Sequence, residues 1–135
     1  MVEYASITAA LAGLVSSLSV VLGSTTAALN ATSATGLVSA AARTYHLSGA
    51  QARSVYGRAP YGKPALRSLY AVGWMGADSN IAACKAALLL GPSPSDAAAQ
   101  ALRGNPKLLS RLRASGVTVS QAAAAIGRGY TDGCN

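Results

Sequence analysis

Residues 93–127 read SPSDAAAQALRGNPKLLSRLRASGVTVSQAAAAIG, a run in which helix starts and helix stops follow one another three times. Ser93-Pro94-Ser95-Asp96 supplies a hydroxyl cap, a proline suited to a first turn and an early acid, and Gly104 ends the helix they open. Asn105-Pro106 opens the next, which Gly116 ends. Thr118 with Gln121 has capping-box spacing and opens a third, expected to stop at Gly127. Apolar/polar alternation never persists, here or elsewhere, and β-branched residues are thin beyond the first forty positions. The chain is expected to be all-α.

Working upstream, the same punctuation recurs. Ser48 and Gln51 form a second capping-box pattern opening a helix from Gly49 to Tyr56, and Pro64 suits the first turn of a helix running to about Met75. Asp78 or Ser79 is expected to cap a helix reaching Leu90, which Gly91 and Pro92 end. From about Tyr4 to Ala42 there is no proline. That stretch is either one helix, roughly 57 Å long at about 1.5 Å per residue, or two helices broken near Gly23 or Gly36. The expected architecture is therefore a long N-terminal helical arm, residues 1–42, followed by a compact bundle of short helices, residues 43–135. No flexible linker or internal repeat separates them, so they should form one folding unit. A rod of that length cannot bury itself in a small core, and its expected partner is another copy, a bilayer or a polymer that it wraps.

Charge divides the chain at the same place. Among 135 residues there are 11 Lys+Arg against 4 Asp+Glu, a net charge of +7, although charged residues make up only 11% of the sequence. No charged side chain lies between Glu3 and Arg43, and every cation lies between Arg43 and Arg128. Ala5 to Gly23 is apolar enough to raise the question of a membrane span. It carries several serines and threonines, however, lacks flanking cations, and is preceded by Glu3 where a secretory signal needs positive charge.

With four acids and one histidine there is little material for general acid–base catalysis, a carboxylate dyad or a metal site. No enzymatic activity, metal or cofactor is expected. Gly57-Arg58-Ala59-Pro60-Tyr61-Gly62-Lys63 has the spacing of a phosphate-binding P-loop, but Pro64 replaces the Ser or Thr that would hold Mg²⁺, Pro60 removes an N–H donor, and no hydrophobic strand precedes it. His46 with Cys84 as a catalytic pair lacks a third group. Cys84 and Cys134 are the only cysteines and have no C-x-x-C spacing. They are either two separate buried thiols or one intrachain disulfide that staples the C-terminus. The disulfide is expected, and it points to an extracellular particle or the interior of a hyperthermophile.

Cations carry the functional signal. Lys63, Arg67, Tyr70 and Trp74, at i, i+4, i+7 and i+11, line one stripe of a helix, and Lys107 with Arg111 repeats the i, i+4 pair. Arg43, Arg53 and Arg58 form a further cluster ahead of the stripe. A solvated helix face accounts for such spacing in most proteins. Here acids are too few to neutralise it, and guanidinium forks suit phosphate oxygens. These seven cations are the candidates for binding a nucleic-acid backbone without reading bases.

The order of residues adds a resemblance. From Val38 to Gly76, VSAAARTYHLSGAQARSVYGRAPYGKPALRSLYAVGWMG resembles the coat proteins of filamentous and rod-shaped double-stranded DNA viruses of hyperthermophilic archaea, of rudivirus, lipothrixvirus and tristromavirus type. The features that match are Val38-Ser39-Ala40, Tyr45, Leu47, Gly49, Arg53, Val55, Tyr56, Gly62, Arg67 and Leu69. A shorter match is Gly104-Asn105-Pro106 with Leu108 and Leu109, and together they cover about half the chain. The resemblance implies an all-helical coat protein in a virion assembled in the host cytoplasm. It implies dimers of the chain with itself or with a second, related coat protein, stacked around A-form DNA. It marks Arg53 and Arg67 as contacts near the DNA, with Tyr56 and Gly62 shaping the turn. The uncharged arm departs from the rod-shaped relatives, which tend to carry cations there, and leaves open whether it wraps DNA through Ser, Thr and backbone contacts, packs on a second coat protein or faces an envelope; an apolar arm suits the enveloped, two-coat-protein members better.

One alternative comes from another class. Met1-Val2-Glu3-Tyr4 before an apolar helix resembles the mature N-terminus of Flp-type pilins, subunits of extracellular filaments without nucleic acid. The glutamate arrives two positions earlier than in that pattern, and a pilin has no need of a basic body of this length.

Overall fold

The computed structural model of the chain describes residue 15, residues 18–23, residues 36–90 (Leu90 by its backbone alone) and residues 93–134. Residues 18–23 are helical, and seven helices follow: α1 (Leu37–Tyr45), α2 (Gly49–Arg58), α3 (Pro64–Ser79), α4 (Ile81–Leu90), α5 (Pro94–Arg103), α6 (Pro106–Ala114) and α7 (Val119–Gly133). Among the described residues there is no strand. The protein is all-α.

Local chemistry sets most of these boundaries. Both capping boxes form: Gln51 N–H donates to Ser48 Oγ at 3.1 Å while Ser48 N–H donates to Gln51 Oε1 at 2.9 Å, and Thr118 and Gln121 do the same at 3.1 and 3.0 Å. Asn105 Oδ1 accepts from Leu108 N–H and opens α6. Two boundaries differ from expectation. Asp78 and Ser79 continue α3, and Asn80 is the cap that opens α4, its Oδ1 accepting from Ala83 N–H at 3.1 Å. Helix α7 runs through Gly127 to Gly133.

The reason for the second difference lies in the packing of α3 against α7, the most extensive helix pair among the described residues. A Cβ on Gly73 of α3 would overlap the Ile126 carbonyl, and one on Gly129 of α7 would overlap the Tyr70 carbonyl. Gly127 likewise has no room for a Cβ beside Ser95 of α5. These glycines let backbones approach and do not end the helix. Around this pair, α1 and α2 pack on α3, and α5 packs on α7. One hydrophobic cluster runs through all of it, with Leu37, Leu69, Met75, Leu102, Leu108, Leu112 and Ile126 fully buried. Each such side chain contributes about 1.5–3 kcal/mol relative to exposure.

Three observations bear on the arm. Of the expected arrangements, the described residues fit a break at Gly36, which precedes α1 with φ 48° and ψ −98°, a left-handed φ that favours glycine. The change of charge at residue 43 falls inside α1, whose Ala40, Ala41, Ala42 and Tyr45 are buried, so the 42/43 division is compositional and not structural. Leu18, Val21 and Leu22 are completely buried in the common cluster, so residues 18–23 fold back onto the body. The expected rod, and most of the apolar stretch considered as a membrane span, lie outside the described residues. Among those described, no helix is long and apolar enough to cross a membrane.

Candidate nucleic-acid interface

Helix α2 ends where Pro60 forbids continuation, and its last carbonyls need partners. Arg67, in the second turn of α3, provides them. Its Nε and Nη2 donate to the Tyr56 carbonyl at 3.3 and 3.1 Å, Nη2 to the Gly57 carbonyl at 2.9 Å and Nη1 to the Tyr61 carbonyl at 3.4 Å. Its guanidinium also lies 5.1 Å from the centre of the Tyr56 ring. Four of the five guanidinium N–H donors are therefore engaged inside the chain. Arg67 clamps the α2–α3 turn and leaves one donor for an external ligand. The same geometry disposes of the P-loop spacing: carbonyls converge on this turn, whereas a phosphate cradle presents N–H groups.

The clamp positions two neighbours. Arg58 is exposed; its Nε donates to the Ser54 carbonyl at 3.3 Å and its guanidinium lies 5.5 Å from the Trp74 ring centre. Lys63, also exposed, donates from Nζ to the Gly116 carbonyl at 3.1 Å. That bond brings the α2–α3 turn beside the end of α6, where half-buried Arg111 and exposed Arg113 sit in the last turn. Arg53 is exposed on α2, Lys107 at the start of α6, and Arg43 on the separate element α1. The bonds that Arg58, Lys63 and Arg67 make all end on backbone oxygens, which leaves their charge unneutralised. Neither α2 nor α6 contains an acid. Arg113 was not singled out by the i, i+4 pattern, and its position three residues before Gly116 was the available signal.

The stripe that begins with Lys63 turns inward along α3. Tyr70 is buried, its hydroxyl donates to Asp132 Oδ2 at 2.6 Å, and its ring meets Tyr61 edge to face at 6.2 Å between centroids. Burial, then the bond to the Asp132 carboxylate, push the Tyr70 phenol up to about 12. Burial also raises the Tyr130 phenol. Tyr70 is thus withdrawn from any ligand, whereas half-buried Trp74 lines an open pocket beside Arg58.

Cys84 of α4 and Cys134 beyond α7 are joined as a disulfide with their Cα atoms 5.9 Å apart, so Cys84 is no nucleophile for exposed His46. Among the described residues no three His, Cys, Asp or Glu side chains gather as metal ligands. Compared with protein families, curated proteins and solved structures, the chain gave no match.

Proposed function

We propose that the chain is a structural virion coat protein that sheaths double-stranded DNA, in A form, by binding phosphates without reading bases. The observation that carries this proposal is the set of exposed cations on α2, the α2–α3 turn and α6, of which Arg58 and Lys63 are held by carbonyls and Arg58 also by an indole ring, with no acid on either helix. The resemblance from Val38 to Gly76 supports it, since the same turn lies at its centre. The stoichiometry is suitable as well. Duplex DNA carries one charge per roughly 1.7 Å, so a subunit at +7 neutralises about 12 Å of duplex and a dimer about 24 Å, roughly two-thirds of a turn. The copies would assemble with one another or with a second, related coat protein.

The test is the salt dependence of binding to two linear duplexes of unrelated sequence. Arg53→Ala and Lys107→Ala should each weaken binding equally on both duplexes and lower the logarithmic salt slope by about one. Absence of binding at low salt, or a loss confined to one duplex, would contradict backbone packaging.

A further inference from the structure

Two features of opposite shape remain once the core and the basic face are assigned. The first is α4, IAACKAALLL, with one charge in ten residues; among its described side chains only Cys84 and Ala87 are fully buried. Lys85, Leu88 and Leu89 project outward at i, i+3 and i+4, with Leu88 38% and Leu89 82% exposed. A helix apolar on nearly every side is ordinarily covered on every side. The second is an open groove of about 490 Å³ between α5 and α7, lined by Ala99, Ala123 and Ala124, with Asp96 towards one end and Arg103 towards the other. Alanines leave room there for larger side chains.

We infer that Leu88 and Leu89 of one copy seat in the alanine groove of the next copy, with Lys85 against Asp96. The registers agree. Lys85 precedes Leu88 by one turn and Asp96 precedes Ala99 by one turn, about 4.5 Å on either partner, so ion pair and apolar contact form together. The reverse polarity would set Lys85 against Arg103, a like-charge contact that disfavours it. At about 15 Å, α4 is too short to span a bilayer, and the charge on its outer face favours a protein surface that offers a carboxylate. The disulfide fixes the geometry: Cys84, next to Lys85, is tied to the end of α7, the helix that also walls the groove. Because knob and groove are different patches, the contact is heterologous, and every copy added leaves one of each free. Repetition of such a contact gives a ring where its rotation closes and an open helical filament where it does not; the filament is the form expected. This deepens the coat reading and rests on its premise that copies polymerise, yet it requires no nucleic acid.

Sedimentation velocity on the full, oxidised chain at low salt without DNA tests it. The wild type should form an open-ended series of oligomers that lengthens with concentration. Leu89→Glu and Ala124→Arg should each remain monomeric to at least about tenfold higher concentration. Mixed together they should give a dimer and nothing larger, since one intact knob and one intact groove remain. Lys85→Asp should weaken assembly and the double variant Lys85→Asp/Asp96→Lys should restore it; both positions are exposed, so this arm holds even where a core-adjacent variant fails to fold. A wild type that stays monomeric or stops at a closed dimer, single variants that polymerise normally, or a charge swap without rescue would overturn the inference. A chain that polymerises but binds no duplex keeps this contact and overturns the coat reading; one that binds duplex and assembles only upon it does the reverse.

Discussion

Arg67 gives α2 an ending that most helices take from a glycine. Without it, the carbonyls of Tyr56, Gly57 and Tyr61 lose a charged donor, and the turn that carries Arg58 and Lys63 loses its shape. Arg67→Ala should cost about 2 kcal/mol, read as a fall of roughly 8 °C in the thermal midpoint, and Arg67→Lys should recover only part, because a point charge cannot fork across three carbonyls. An unchanged midpoint in Arg67→Ala would contradict the clamp. Tyr70 provides a second residue-scale test. Its phenol holds the proton up to about 12 when folded, against the ordinary value near 10 in an open chain. The stability this contributes is fully present below pH 10 and is lost as pH climbs towards 12. Tyr70→Phe should therefore flatten the alkaline decline in stability across that interval, measured by denaturant midpoints, and an equal slope in both proteins would count against the buried Tyr70–Asp132 bond. The spacing of Lys63, Arg67, Tyr70 and Trp74 was legible as one helical stripe. That Arg67 turns onto the α2–α3 turn and Tyr70 into the core was not, because their surroundings depend on α2 folding back over α3.

At the scale of elements, the starts were more legible than the ends. Ser48/Gln51 and Thr118/Gln121 announce their helices within four residues, since a capping box is satisfied by its own segment. Gly127 carries the local signature of a stop and is used for close approach to α5, a role visible only when the neighbouring backbone is present. Asp78 and Asn80 compete for one cap two residues apart, and the structure gives it to Asn80. The disulfide ties α4, a lightly packed helix, to the end of α7. Closing a separation of 50 residues contributes about 4 kcal/mol in the chain-entropy picture. Reduction should raise amide exchange first in α4 and at the end of α7, and intact mass should increase by two hydrogens. Two free thiols in the protein as isolated, or exchange that rises uniformly across the bundle, would contradict this picture.

For the whole molecule, the sequence separates an uncharged arm from a basic body, whereas the fold joins them. Residues 18–23 bury three aliphatic side chains in the common core, and α1 crosses the charge boundary without interruption. Composition alone could not reveal this, because an apolar segment suits a neighbouring core as well as a bilayer or another subunit. The excess of cations was legible from the charge imbalance, since four acids cannot neutralise eleven cations however the chain folds; the division of labour between Arg67 and its neighbours required coordinates. Arginines also end α1, α2, α5 and α6, where positive charge complements the helix dipole, and the same placement leaves that charge at the surface for an external anion. The central claim, that many copies sheath a duplex through its phosphates, is tested most directly by cryo-electron microscopy of filaments grown from purified chain and linear double-stranded DNA. The account expects continuous A-form duplex along the filament axis, with density from α2, the α2–α3 turn and α6 against phosphates and none against base edges. Filaments that leave the added duplex outside would contradict it and favour the pilin-like alternative.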